Sequence, residues 1–182
     1  MKSVYNFVVK PKGERYNNTK KLDGKELILN TEIFNHKYVN REAVVISTPI
    51  IGDTDIKLGD IVIVHHNVFR RWHNQHGEEK NSRSYFNEDT YFINHDQIFL
   101  YKRDKEWIAP KGYCFVIPLK DTDQFNTESE KPLQGIVKYT DGTIEVNSLV
   151  GFTPNSEYEF IVDGERLYRV LSKFITIKYE YQ

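Results

Sequence analysis

Ile56-Lys57-Leu58-Gly59-Asp60-Ile61-Val62-Ile63-Val64 has a weaker copy, Ile144-Glu145-Val146-Asn147-Ser148-Leu149-Val150-Gly151-Phe152, about 88 positions later in the 182-residue chain. In each copy two alternating apolar residues lead into a polar turn and then into four largely apolar residues, the pattern of a strand running into a buried wall. Repetition of one small β-unit changes how the flanking segments are read. Phe7-Val8-Val9 matches Phe115-Val116-Ile117, and Ala43-Val44-Val45 matches Gly135-Ile136-Val137. Near the end of each copy Tyr91, Ile93, Ile98 and Leu100 match Tyr168, Val170, Ile175 and Ile177.

The second copy lacks about 16 residues of the first copy's early loop and about 11 of the excursion after the motif, both in segments that read as loops, where insertions are tolerated. The duplication predicts two domains, 1–107 and 108–182, joined at Trp107-Ile108-Ala109-Pro110-Lys111-Gly112. Domains this small bury only about two-thirds of their unfolded surface, which favours added contacts between halves or between chains. Tyr, Phe, Ile and Asn are abundant and Ala is scarce, a composition suited to pleated strands, and no segment carries a sustained helical stripe. The expected class is all-β.

Charge and cysteine usage exclude several functions. With 25 basic and 26 acidic residues scattered along the chain, no basic face stands ready for a phosphate backbone, so nucleic acid is not an expected partner. One cysteine, Cys114, rules out an intrachain disulfide and a four-cysteine zinc site, in keeping with a reducing compartment. No apolar run approaches the length of a membrane span or a secretory signal, and the expected location is the cytoplasm.

In the first half, an alternating strand over 5–9 precedes a polar tract, 10–25, read as a long loop ending at Leu27-Ile28-Leu29. A strand over 41–47, the opening motif, a polar excursion between Val64 and Tyr91 and a return strand over 91–101 follow. The second half repeats the order with a strand over 113–119, a polar loop over 120–132, a strand over 135–139 and closing strands.

With these residues in this order, the chain resembles the chaperonin-10 family, the GroES-like co-chaperonins. Lys57-Leu58-Gly59-Asp60-Ile61-Val62-Ile63-Val64 is similar to the family's lysine-x-glycine-aspartate strand, and Ala43-Val44-Val45-Ile46 to its glycine-x-valine strand. The early tract with its aliphatic triplet resembles the family's mobile loop, and Asp96-Gln97-Ile98-Phe99-Leu100 its closing strand. Leu133-Gln134-Gly135-Ile136-Val137 extends the likeness to the second half. The chain departs from the family at Ala43, which replaces a glycine, at Ser47-Thr48-Pro49-Ile50-Ile51-Gly52, which replaces a glycine-rich turn, and at Asn147-Ser148, which replaces Gly59-Asp60 in the second copy.

The resemblance implies two tandem GroES-like irregular β-barrels. It further implies a non-enzymatic cap, without cofactor, that assembles into a homo-oligomeric ring and closes a chaperonin-60 (GroEL-like) chamber around an unfolded client. By the same likeness Gly24, Leu27, Ile28 and Leu29 form the chaperonin-binding segment, and Arg70, Arg71, Trp72 and His73 belong to an enlarged roof loop. The second copy's loop, 121–130, is short and acidic and has no aliphatic triplet. The Asn/Lys/Tyr-rich composition resembles chains from AT-rich phage or bacterial genomes, which for a phage protein implies the host cytoplasm. A virion component or other interaction protein that kept the fold without chaperonin binding is the alternative.

Other constellations read plainly. His65, His66, His73 and His76 lie close in sequence but lack cysteines and a fixed facing, so no metal is expected. Cys114, within an alternating strand and without an identifiable histidine partner, reads as a small core residue. Leu27-Ile28-Leu29 taken without the resemblance reads equally as a barrel strand.

Overall fold

The computed structural model describes residues 2–16, 19–22, 25–28, 38–120 and 130–180, with 19–22 and 25–28 described in their backbone alone. The described chain is built of strands and short 3₁₀ turns, and no helix is long and apolar enough to cross a membrane. It divides into two compact units, Met1–Lys105 and Glu106–Gln182. Trp107 thus belongs to the second unit, where its indole N–H donates to Asp163 Oδ2 at 2.8 Å.

In the first unit, β1 (Phe7–Pro11), β4 (Glu42–Ser47), β5 (Ile61–Val64), β8 (Tyr85–Asn87), β9 (Thr90–Ile93) and β10 (Ile98–Arg103) lie side by side in the order β10-β5-β4-β1-β9-β8. Two hairpins stand outside this sheet: β2 (Thr19–Leu22) with β3 (Lys25–Ile28), and β6 (Arg71–His73) with β7 (Glu79–Asn81). In the second unit, β11 (Glu106–Ile108) precedes β12 (Tyr113–Lys120), β13 (Glu130–Thr140), β14 (Leu149–Phe152), β15 (Glu157–Val162), β16 (Glu165–Leu171) and β17 (Ile175–Tyr179). The last six form one sheet in the order β17-β14-β13-β12-β16-β15, the order of the first unit strand for strand.

The agreement extends to individual hydrogen bonds. At the opening motif the Gly59 N–H donates to Val45 O at 2.8 Å and the Val45 N–H to Asp60 O at 3.0 Å. In the second unit the Asn147 N–H donates to Val137 O at 2.8 Å and the Val137 N–H to Ser148 O at 2.9 Å. Gly59 has φ +90° and Asn147 φ +66°, so both turns need a left-handed residue, which glycine adopts freely and asparagine with little cost. A 3₁₀ turn, His95–Gln97 or Ser172–Phe174, then leads into β10 or β17, each of which breaks register at the same place against β5 or β14. The return strand read as continuous over 91–101 is therefore two strands with a turn between them.

The registers correct one match made from sequence. Val9 lies between Val45 and Tyr91, and Val116 lies between Val137 and Tyr168. Phe7-Val8-Val9 therefore corresponds to Cys114-Phe115-Val116, one residue earlier than the aromatic match indicates. Side chains alternate across a strand, so a slip of one residue exchanges the two faces; aligning Phe7 with Phe115 does this. The remaining pairs, Ala43 with Gly135 and Tyr91 with Tyr168 among them, occupy equivalent positions.

The expectation of irregular barrels holds as far as an all-β fold: the sheets are open, because among the described residues the edge strand β8 pairs only with β9, and the edge strand β15 only with β16. Closure requires the two edge strands to pair along a fixed stagger. Alternation reports which face of a strand is buried and carries no information on whether distant edges meet. β8 is three residues long with Phe86 and Asn87 exposed, and β15 leaves Tyr158 and Ile161 exposed.

Each sheet builds its own core. Phe7, Val8 and Val9 are all buried, so β1 is covered on both faces, with Phe69 edge-on to Tyr91 at 4.7 Å. In the second unit Cys114, Val116, Val137, Val150, Phe152 and Val170 pack together on one side, while Phe115 meets Phe160 at 5.3 Å. A methyl at Gly135 would lie 2.8 Å from Ile117 O and 2.9 Å from Val116 Cβ, so the second sheet requires glycine there, whereas Ala43 fits the equivalent place in the first.

Candidate functional site

The two units share a sheet, so what distinguishes the first is what it adds. The additions are the segment between β1 and β4 and the excursion between β5 and β9, and the structure clamps them together. Tyr16 bridges to Val39 across the base of the first segment, and the Asn40 N–H donates to Arg15 O at 2.9 Å. The Asn40 side chain donates to Lys12 O at 3.0 Å and Glu14 O at 2.8 Å, closing the loop's neck.

From this neck Arg15 and Tyr16 reach the excursion. Arg15 donates to Asn81 Oδ1 at 2.9 Å and to Phe69 O at 3.0 Å, and its guanidinium lies over Tyr91 at 5.5 Å and Tyr85 at 5.9 Å. The Arg71 N–H donates to the Tyr16 hydroxyl at 2.7 Å, and the Arg71 guanidinium stands 5.0 Å from the Tyr16 ring. Ser82 Oγ donates to Val68 O at 2.5 Å, tying the excursion to itself. The sequence signals both insertions by their lengths but gives no sign that they meet, because Arg15 and Asn81 are distant in the chain.

The proposed chaperonin-binding residues fall partly within the described chain. Leu27 and Ile28 are in β3, opposite Lys20 and Thr19 of β2, while Gly24 and Leu29 lie outside the described residues. The tract read as a loop over 10–25 thus contains the end of β1 and all of β2. The overlooked signal is Asp23-Gly24, the two-residue link between paired Leu22 and Lys25, a dipeptide favoured in hairpin turns. The hairpin pairs with no other strand among the described residues, and an isolated two-stranded ribbon is only marginally stable in water.

The four roof residues separate into different roles. Arg71 is structural: besides its contacts to Tyr16 it pairs with Glu79 at 2.9 Å across the β6–β7 hairpin. His73 stands opposite Glu79 in that hairpin, and Trp72 stands opposite Lys80 with 46% of its surface exposed. Arg70 lies just before β6 and lines a cleft of about 530 Å³ together with Trp72 and Arg83. The hairpin tip is set by Asn74, whose Oδ1 accepts from the His76 N–H at 3.0 Å and the Glu78 N–H at 2.9 Å, with Gly77 at φ +76°.

The histidines do not converge. His65 and His66 stack at 4.2 Å, and His65 Nδ1 accepts from the Asn67 N–H at 3.1 Å. Among the described residues no three His, Cys, Asp or Glu side chains are grouped to hold a metal ion. Cys114 is fully buried; burial and the nearby Asp141 push its thiol up to about 12, which leaves it protonated and unreactive at neutral pH. In comparisons with known proteins, no family profile and no curated relative matches this chain.

Proposed function

We propose that the protein is a non-enzymatic co-chaperonin of the GroES-like kind: two tandem GroES-like β-sheet units per chain, assembled into a ring that caps a chaperonin-60 chamber in the cytoplasm and confines an unfolded client. The reading rests above all on the β2–β3 hairpin, which belongs to the first copy, carries Leu27 and Ile28, and pairs outside the sheet. Its neck is held firmly by Asn40, Arg15 and Tyr16, so an easily remodelled segment is presented from a fixed base.

The energetics favour many weak contacts. Each aliphatic side chain docked in an apolar groove contributes roughly 1.5 to 3 kcal/mol, while ordering loop residues costs about 1 to 2 kcal/mol each. One loop binds weakly, and several on one ring bind together through effective concentration. Release on each chaperonin cycle then needs only a modest change at the rim. One working loop per chain follows, with the second unit as a wall or spacer.

The test is gel filtration of the protein with a GroEL-like chaperonin, with and without adenine nucleotide. A nucleotide-dependent complex that is lost in Leu27→Asp and Ile28→Asp is the expected result. A chain that never associates fits instead an interaction protein, such as a phage virion component, that retains the sheets alone.

A further inference from the structure

The cleft beside the β6–β7 hairpin has the chemistry of a small-molecule site. Its volume, about 530 Å³, falls in the range that holds a whole small molecule. Two arginines, Arg70 and Arg83, line it, and among the described residues neither makes an ion pair or hydrogen bond. No carboxylate is among the described residues that line the cleft, and Glu79 and Glu78 of the adjoining hairpin already pair with Arg71 at 2.9 Å and Lys80 at 3.0 Å. Among the described residues Arg70 Nε is shielded from solvent with no acceptor, a cost that a bound anion would remove.

The other walls fit an organic group. Trp72, exposed and without a ring partner among the described residues, offers an indole face on which a planar ring can stack. Asn67, Gln97 and Ser82 add amide and hydroxyl groups for the ring's heteroatoms. Guanidinium groups bind carboxylates and phosphates in bidentate fashion.

We propose that this cleft binds a small aromatic oxyanion, a planar ring bearing a phosphate or a carboxylate, with Arg70 and Arg83 on the anion and Trp72 against the ring. Arg70 and Trp72 lie in the segment read as the cap's roof loop, but the proposal does not rest on capping, since it uses none of the residues of the β2–β3 hairpin.

Trp72 also provides the readout, because the only other tryptophan, Trp107, is buried and bonded to Asp163 in the second unit. The intact protein is titrated with adenosine monophosphate, 4-hydroxybenzoate, inorganic phosphate and adenosine while tryptophan emission is followed. Saturable quenching by adenosine monophosphate or by 4-hydroxybenzoate is expected, and which of the two binds more tightly assigns phosphate or carboxylate. Inorganic phosphate and adenosine, each lacking one half of the ligand, are expected to bind at least tenfold more weakly. Arg70→Gln and Arg83→Gln should each weaken binding about tenfold, with unchanged circular dichroism showing that the fold is kept. Absence of quenching by both aromatic anions, or binding that neither arginine substitution alters, would overturn the proposal.

Discussion

Tyr91 and Tyr168 occupy the same position in two copies of one sheet, yet their hydroxyls meet opposite fates. The Tyr168 hydroxyl donates to Glu130 Oε2 at 2.7 Å and accepts from Arg166 at 2.8 Å. Burial, with the hydrogen bond to Glu130, pushes its phenol up to about 12. Among the described residues the Tyr91 hydroxyl is buried without a partner, and burial raises its phenol further still. Removing a buried hydroxyl that bonds nothing relieves a desolvation cost, while removing a bonded one strands its partners. Tyr91→Phe is therefore expected to leave stability unchanged or raise it slightly, and Tyr168→Phe to lower it by about 1 kcal/mol. Urea denaturation of both variants checks the contrast.

Asp141 is the second residue on which stability turns. Burial alone would raise its pKa, but hydrogen bonds from Thr143, Gly112 and Ser172 outweigh it and hold the carboxyl below its ordinary value of 3.8. A group depressed on folding stabilises the native state above its unfolded pKa and loses that contribution as pH falls through the folded pKa. Asp141→Asn should thus cost about 1 to 2 kcal/mol at pH 7, where charged hydrogen bonds are lost, and the gap from the parent should shrink below about pH 4. Denaturation between pH 2.5 and 7, followed by Trp107 emission in a Trp72→Phe background, measures this in the second unit.

At the scale of elements, the sequence revealed strands better than edges or contacts between insertions. The opening motif and its copy share a turn because Gly59 and Asn147 both tolerate positive φ, a property readable from residue type. The one-residue error at β1 arose because Phe7 and Phe115 look alike, whereas packing places Cys114 where Phe7 stands. The β2–β3 hairpin was not legible because Thr19-Lys20-Lys21-Leu22 and Lys25-Glu26-Leu27-Ile28 lack the alternation of a half-buried strand.

The clamp between the insertions was illegible because it rests on tertiary contacts of Arg15 and Tyr16. It carries a prediction of its own. Tyr16→Phe removes the acceptor for the Arg71 N–H, and hydrogen exchange should speed up at Arg71 by roughly tenfold, the equivalent of about 1.4 kcal/mol, while β4 and β5 remain protected. Equal loss of protection throughout the sheet would mean that Tyr16 is a general core residue and not a latch.

At the scale of the whole molecule, one sheet design is used twice, and among the described residues only the first copy carries the hairpin and the excursion. Gene duplication of a β-unit followed by unequal elaboration of loops accounts for this pattern, because loops change with little cost to the sheet that carries them. The shared strand order supports the repeat far more strongly than the sequence motif alone, since chance similarity of apolar runs does not reproduce paired registers and turn hydrogen bonds. The function proposed for the chain lies in the elaboration.

Sedimentation velocity of the full chain mixed with a chaperonin-60 ring, with and without ATP, tests the capping function most directly when repeated on a variant whose residues 19–28 are replaced by a Gly/Ser linker. Co-sedimentation that requires nucleotide and disappears with the hairpin is the predicted result. Absence of co-sedimentation by the parent chain, or co-sedimentation that survives removal of the hairpin, would contradict it.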